Sequence, residues 1–141
     1  MYPEEIVAPC REDLTEVGVT ELKTSDDVSA TLESAPGTTL IVVNSVCGCA
    51  AGAARPGVKM ALENTILPDN ITSVFAGVDT EAVEKVRSYM VGYPPSSPAV
   101  ALFKDGQLVY LMERHMIEGR SPADIADVLK KAFDLYCQNQ N

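Results

Sequence analysis

The stretch Thr38-Thr39-Leu40-Ile41-Val42-Val43-Asn44-Ser45-Val46-Cys47-Gly48-Cys49 decides the fold. After its two threonines it is continuously apolar and largely β-branched up to Val43, the pattern of a central strand covered on both faces. It delivers the chain to two cysteines separated by one glycine. Alanines 50, 51, 53 and 54, followed by Val58, Met60, Ala61 and Leu62, favour a helix directly after them, with a kink expected at Pro56, which lacks a donor and crowds the preceding turn. The cysteine pair is thus placed between a buried strand and the beginning of a helix.

Working outward, Ile6, Cys10, Leu14 and Val17 recur at helical spacing, so a first helix is expected from Glu4 to Val17, bent at Pro9 and stopped by Gly18. A short strand follows at Thr20 to Leu22. Thr24-Ser25-Asp26-Asp27 reads as a cap with an acidic third residue, opening a helix through Val28 and Leu32 that ends near Pro36-Gly37. Downstream, Ile71 to Val78 reads as a strand, and Thr80 as the cap of a helix carrying Val83, Val86, Tyr89 and Met90. The segment Gly92 to Pro98 holds three prolines and cannot be helical. Ala99 to Lys104 and Gln107 to Met112 read as a hairpin across Asp105-Gly106, and Ser121-Pro122 caps a last helix with Ile125, Leu129, Ala132, Phe133 and Tyr136 on one stripe. This order implies an α/β fold with a mixed central sheet and helices on both faces: the first strands need parallel crossovers, and the last two are antiparallel.

The chain has 141 residues, 46% of them hydrophobic and 22% charged, which suits one globular domain spanning residues 1–141 with its own core. No repeat or linker divides it. With 20 acidic against 11 basic side chains the net charge is −9, so nucleic acid and anionic lipid surfaces are not expected partners. The amino terminus has neither a positive flank nor an apolar run, and a cytoplasmic location is expected. Cytosolic thiols are normally reduced, and four cysteines are too few for a disulfide scaffold, so a Cys-x-Cys pair points to chemistry rather than stapling.

A cysteine at a helix start lies near unpaired N–H groups and the positive end of the macrodipole, both of which favour thiolate. Cys47 is therefore the candidate nucleophile. Cys49 can attack a mixed disulfide formed at Cys47, because Gly48 relaxes the backbone between them. A ring closed by cysteines two apart is strained, which implies a labile disulfide and a comparatively oxidising couple. Pro98 begins a strand after Ser96-Ser97, a place where cis bonds occur, although isolated X-Pro bonds are mostly trans. A cis bond there would present the backbone of Ser97 to a substrate.

The succession of strand, cysteine pair, kinked helix, strand ending Val78-Asp79 and then Ser97-Pro98-Ala99-Val100-Ala101-Leu102-Phe103-Lys104-Asp105-Gly106 resembles the thioredoxin superfamily over nearly the whole chain. The resemblance implies a thioredoxin-like three-layer sandwich, with Cys47 as nucleophile and a cis Pro98 facing it. Thioredoxins carry Cys-x-x-Cys preceded by tryptophan; here Val46 precedes Cys-Gly-Cys. Val42 to Gly52 followed by Arg55-Pro56, together with Pro95-Ser96-Ser97-Pro98 and Arg114-His115 before Ile117-Glu118-Gly119, resembles the bacilliredoxin family almost residue for residue. That resemblance implies removal of bacillithiol, a low-molecular-weight thiol, from protein mixed disulfides. Cys47 would receive the thiol, and Cys49 or a second thiol would resolve it. Reduction or isomerisation of protein disulfides is the broader version of the same reaction. The implied partners are proteins carrying mixed disulfides and the thiol itself, a co-substrate rather than a bound cofactor. Gly48, Ser97, Pro98 and Arg55 are the expected substrate-binding residues, Arg55 as the cation offsetting repulsion between an acidic protein and an acidic thiol.

Outside the pair, Cys10 reads as a small buried hydrophobe on the stripe with Ile6 and Leu14. Cys137, at the end of the last helix, reads as a packing residue with an auxiliary thiol as its functional alternative. His115, the one histidine, reads as a loop residue with a structural hydrogen bond, its functional alternative being a general base or pH switch. The competing function class is a zinc or copper module built on Cys-Gly-Cys, for which further ligands would have to come from Cys10, Cys137 and His115. No metal is expected on that spacing. A third class is an interaction domain whose cysteines are incidental.

Overall fold

The structure is a computed structural model that describes residues 2–33 and 37–137. Helix α1 (Glu4–Thr15) leads through Gly18, whose φ of +95° only glycine adopts freely, to strand β1 (Thr20–Glu21) and helix α2 (Ser25–Glu33). The expected cap of α2 forms reciprocally: the Asp27 amide donates to Thr24 Oγ1 at 3.0 Å, and Asp27 Oδ2 accepts from the Thr24 amide at 3.2 Å. The expected helix end at Pro36 lies outside the described residues. Strand β2 (Thr38–Asn44) is buried along its whole length. It is followed by a helix that begins at Gly48, runs π-helical over Ala50–Ala54 and continues as α3 (Arg55–Ala61).

Where the sequence predicts a kink at Pro56, the structure has this π-helical stretch immediately before the proline. The Arg55 amide donates to Ala50 O, five residues back, and the widened turn relieves the crowding that a proline ring imposes on the turn before it. Strand β3 (Asn70–Phe75) ends three residues earlier than the sequence pattern suggests, because β2, its pairing partner, ends there: Asn44 lies opposite Phe75. Helix α4 (Thr80–Ser88) takes Asp79 rather than Thr80 at its cap position. The Asp79 carboxylate makes no capping bond there, being gripped by Arg11 of α1 at 2.9 and 3.1 Å. Strands β4 (Ala99–Lys104) and β5 (Gln107–Met112) form the expected hairpin. A single helical turn, α5 (Arg114–Ile117), which the sequence pattern does not signal, precedes α6 (Pro122–Tyr136), and Ser121 Oγ caps α6 by accepting from the Asp124 amide at 3.1 Å.

The sheet order is β1-β3-β2-β4-β5, with β1, β3 and β2 parallel and β4 and β5 antiparallel to their neighbours. Alternation along β2 divides the core. Leu40 and Val42 face one layer with Val58, Ile125, Leu129 and Phe133; Ile41 and Val43 face the other with Val28, Val83 and Val86. This is the three-layer α/β arrangement expected from the sequence. Gly57 lets α3 close on α6, since a Cβ there would stand 2.6 Å from Ile125 Cγ2. Both helices thereby hold the cysteine turn against the end of β2. Among the described residues no helix is long and apolar enough to cross a membrane.

Candidate active site

Where β2 ends, a buried polar cluster fixes the approach to the cysteines. Arg55 Nη1 donates to Asn44 Oδ1 at 3.0 Å and to the Ser45 carbonyl at 2.7 Å, while its Nε donates to Asp13 Oδ2 at 3.0 Å. Asn44 adds a bond from Nδ2 to the Cys10 carbonyl and accepts from the Ser45 amide at 2.9 Å. The arginine thus ties the strand end to α1. Its other consequence is to hold Ser45 still.

That serine meets the candidate nucleophile. Ser45 Oγ donates to Cys47 Sγ at 3.1 Å and accepts from the Cys47 amide at 3.2 Å. Cys47 stands immediately before the helix, its carbonyl accepting from the Ala50 and Ala51 amides. Burial pushes its thiol up, but the Ser45 hydroxyl, the amides of Ala50 and Cys49, and the charge of Arg114 outweigh burial and hold the thiol below its ordinary value. Each contribution stabilises the thiolate without transferring a proton. Cys47 and Cys49 are partly exposed and both thiols are free, while Gly48 between them is exposed with nothing within 4 Å of where a Cβ would stand.

Cys49 faces a second set of groups, carried by α5 and the turn after it. Arg114 Nη2 donates to Cys49 Sγ at 3.8 Å, Arg114 Nε to Glu118 Oε2 at 2.9 Å, and the Cys49 thiol to the same carboxylate oxygen at 3.9 Å. Arg114 Nη1 also reaches the Ser97 carbonyl at 3.1 Å. The Ser97–Pro98 bond is cis, Pro98 is buried, and Ser97 shares a groove with Cys47. One arginine therefore links the resolving-thiol candidate, a carboxylate and the cis-proline loop.

The family described as Disulphide isomerase matches residues 2–137. The chain is 58% identical over 134 residues to a bacilliredoxin of Cytophaga hutchinsonii, covering 95% of this chain and 98% of that one. A bacilliredoxin of Salinibacter ruber is 52% identical over 141 residues, covering 99% and 83% of the two chains. This chain belongs to the bacilliredoxin family. Among solved structures, a thioredoxin from Halobacterium salinarum superposes with a TM-score of 0.60 at 17% identity, over 89% of this chain and 96% of that one, which shows the thioredoxin-like fold. Bacilliredoxin membership and this fold together make the chain a thiol–disulfide oxidoreductase.

Seen within the bacilliredoxin family, the expected residues separate into two groups. Cys47, Gly48, Cys49, Ser97 and Pro98 come together at the carboxyl end of the sheet. Arg55, expected as a substrate-facing cation, is 5% exposed, and Asp13, Asn44 and Ser45 occupy its guanidinium. Arg114 supplies the cation beside the cysteines instead. Cys10 is half-buried, its thiol donating back to the Ile6 carbonyl, because α1 turns Val7 and Leu14 into the core and leaves Ile6 half-exposed. Cys137 lies at the opposite end of β2, beside Thr38, Asp69 and Lys104. His115 is exposed on α5. Among the described residues no cluster of three or more histidine, cysteine or acidic side chains is positioned to hold a metal ion.

Ser45, Arg114, Glu118 and Arg87, which lines the groove beside Cys47, are residues around the site that the sequence reading passed over. Three of them left a signal. Ser45 falls two residues before Cys47, and Arg114 and Glu118 are an i,i+4 pair in a segment that matched the family, although nothing in their spacing relates them to position 47. Arg87 left none.

Proposed function

We propose that this bacilliredoxin removes a low-molecular-weight thiol, bacillithiol in the family reading, from protein mixed disulfides, and that the same exchange extends to reducing or isomerising protein disulfides. The Cys47 thiolate attacks the sulfur of the small thiol. The sulfur–sulfur bond to the client breaks, and the client cysteine leaves with the electron pair and takes up a proton. Cys47 is then joined to the small thiol. Cys49 loses its proton and attacks Cys47, releasing the small thiol and leaving an oxidised Cys47–Cys49 pair; alternatively a second molecule of thiol attacks and leaves as the small disulfide. Either route ends with the enzyme reduced again by external thiol.

The observation that carries this reading is the thiolate-stabilising shell around Cys47, formed by the Ser45 hydroxyl, two helix-start amides and Arg114, with Cys49 two residues away. The main chain of Ser97, beside the cis bond, is the wall along which a client's extended segment would lie. The Cys49 thiol donates to the Glu118 carboxylate, which would take up the proton leaving Cys49.

The test weighs intact species after the reduced protein meets a client carrying a bacillithiol or glutathione mixed disulfide. Cys49→Ser should accumulate one small-thiol adduct on Cys47, and Cys47→Ser should accumulate none. An adduct on Cys49 in the Cys47→Ser protein would exchange the two roles, and turnover by a protein lacking both would end the proposal.

A further inference from the structure

The groove of about 280 Å3 beside Cys47 is lined by residues that fall into two connected sets. Arg87 and Arg114 donate to the Ser96 and Ser97 carbonyls and so belong with the cis-proline loop. Tyr2, Ala76 and Gly77 form the other set, which carries no charge. Gly77 has a φ of +81°, and a Cβ there would stand 3.0 Å from Tyr2 Cε2, so the bare glycine backbone is what lets the ring lie this close. Helix α1 brings the ring to that place. Arg11 ties the helix to the loop carrying Gly77, donating to the Asp79 carboxylate at 2.9 and 3.1 Å, with its guanidinium 5.1 Å from the centre of the Phe75 ring. Pro3, extended at φ −60° and ψ 145°, joins the helix start to Tyr2. Tyr2 is nonetheless 46% exposed, and it is the one large exposed hydrophobic side chain among the residues lining the groove. A lone exposed tyrosine on a surface needs no explanation. One braced against a glycine beside the candidate nucleophile presents an apolar face at a fixed position to whatever Cys47 attacks.

Resting on the reading that Cys47 exchanges with a client whose extended segment lies along Ser97, the geometry points to Tyr2 as a specificity-determining residue, its ring receiving an apolar client side chain next to the client's cysteine. An extended segment takes affinity from its main chain and selectivity from the surfaces that meet its alternate side chains. Cys47, Ser97 and Tyr2 line one groove, so a segment with its sulfur at Cys47 and its main chain at Ser97 brings a neighbouring side chain to the ring. That side chain is apolar because the Tyr2 set offers a ring, a methyl group and bare backbone but no ion, while a cationic one would meet two guanidinium groups in the same groove. The small thiol is the same on every mixed disulfide, so a fixed apolar face discriminates only through the client. Tyr2 makes and breaks no bond; it touches the client while the disulfide exchanges as described above.

The experiment uses peptides alike except for leucine, serine or lysine next to a cysteine capped by mercaptoethanol. Intact mass gives the rate at which the Cys49→Ser protein gains an adduct on Cys47, with and without Tyr2→Ala or Tyr2→Phe. Tyr2 precedes α1 and belongs to neither core cluster, so these substitutions spare the packing of the fold. The leucine-to-serine preference should fall about three- to tenfold in Tyr2→Ala, as expected for losing the partial burial of one leucine side chain, and Tyr2→Phe should keep it. A preference unchanged in Tyr2→Ala, including one in which both peptides slow equally, overturns the proposal, and so does its loss in Tyr2→Phe. A Tyr2-dependent preference for lysine in place of leucine makes the ring a cation seat and equally overturns it. In a further arm the serine peptide carries an ethanethiol or a mercaptoethanol cap; a Tyr2-dependent preference seen only between the caps reassigns the ring to the small thiol and overturns the client assignment. An adduct rate undiminished once Cys47 is also replaced by serine would instead defeat the underlying reading of Cys47, so the two failures are distinguishable.

Discussion

Cys47 and Cys137 lie beyond opposite ends of strand β2, both partly buried and both free thiols, yet their surroundings act on them in opposite senses. Burial pushes both thiols up. At Cys137 burial prevails: Thr38 and Lys104 favour the thiolate, Asp69 opposes it, and the thiol ends above its ordinary value. At Cys47 a hydroxyl, two amides and a guanidinium converge on one sulfur and reverse the sign. The cavity beside Cys137 is also the larger, about 560 Å3 against about 280 Å3. Neither burial nor cavity size therefore distinguishes the candidate reactive end of this fold. The mark is the number of oriented donors aimed at a single sulfur, and the helix start supplies the amides among them without any dedicated side chain.

The largest way to break the contrast is to remove the clamp beneath Cys47. Arg55→Ala deletes a buried guanidinium that satisfies Asp13, Asn44 and Ser45, and should cost about 2–4 kcal/mol in denaturant-induced unfolding. Below the unfolding transition its Cys47 should alkylate more slowly at neutral pH, because Ser45 is no longer held, while Cys137 should be unchanged. Full stability in the variant would show that the cluster is dispensable.

A smaller effect sharpens the contrast at the sulfur itself. In the unsubstituted protein Cys47 should react with iodoacetamide at neutral pH on the order of tenfold or more faster than Cys137. Ser45→Ala removes the 3.1 Å bond to Cys47 Sγ and should narrow that gap by about three- to tenfold, in line with a single hydrogen bond to a charged acceptor. Because the Ser45 carbonyl and amide remain, the clamp should survive, and the melting behaviour should separate this variant from Arg55→Ala. A gap unaltered by Ser45→Ala would leave the helix-start amides and Arg114 as the whole cause.

How much of this was legible in the sequence follows the range of the interactions involved. The unbroken apolar run of Leu40 to Val43, the Asp105-Gly106 turn and the Ser121-Pro122 cap are local signals, and each element formed where they placed it. The start of the cysteine helix is equally local. What escaped depends on residues far apart in the chain. Asp79 forms no capping bond because Arg11, 68 positions away, holds its carboxylate. Arg55 turns inward because Asp13 lies 42 positions before it. Arg114 reaches Cys49 across 65 positions, carried there by a helical turn too short to leave a periodic pattern. A single sequence shows that an arginine lies near a cysteine pair, but not which of the chain's arginines will face it.

The smallest expected effect divides the two ends by pH. Asp13 joins the clamp to Lys59 at 2.8 Å and to Arg55 at 3.0 Å. Burial pushes its carboxyl up, but the Lys59 and Arg55 bonds outweigh that and hold it below its ordinary value of 3.8. A carboxyl lower in the folded than in the unfolded chain stabilises the fold above the unfolded value, and this contribution is lost as pH falls through the folded one. Asp13→Asn should therefore cost about 1 kcal/mol or less near neutrality, and the cost should shrink towards zero well below pH ~4, where both proteins carry a neutral group at that position. The depressed Cys47 thiol obeys the same sign in a different window. Its contribution is complete only above the ordinary thiol value of 9.0 and fades as pH falls through the folded one, so it cannot imitate the acid effect. Unfolding measured on Asp13→Asn and its parent at neutral and acid pH checks the assignment: a cost that persists at acid pH would mean that Asp13 acts through packing rather than through its charge.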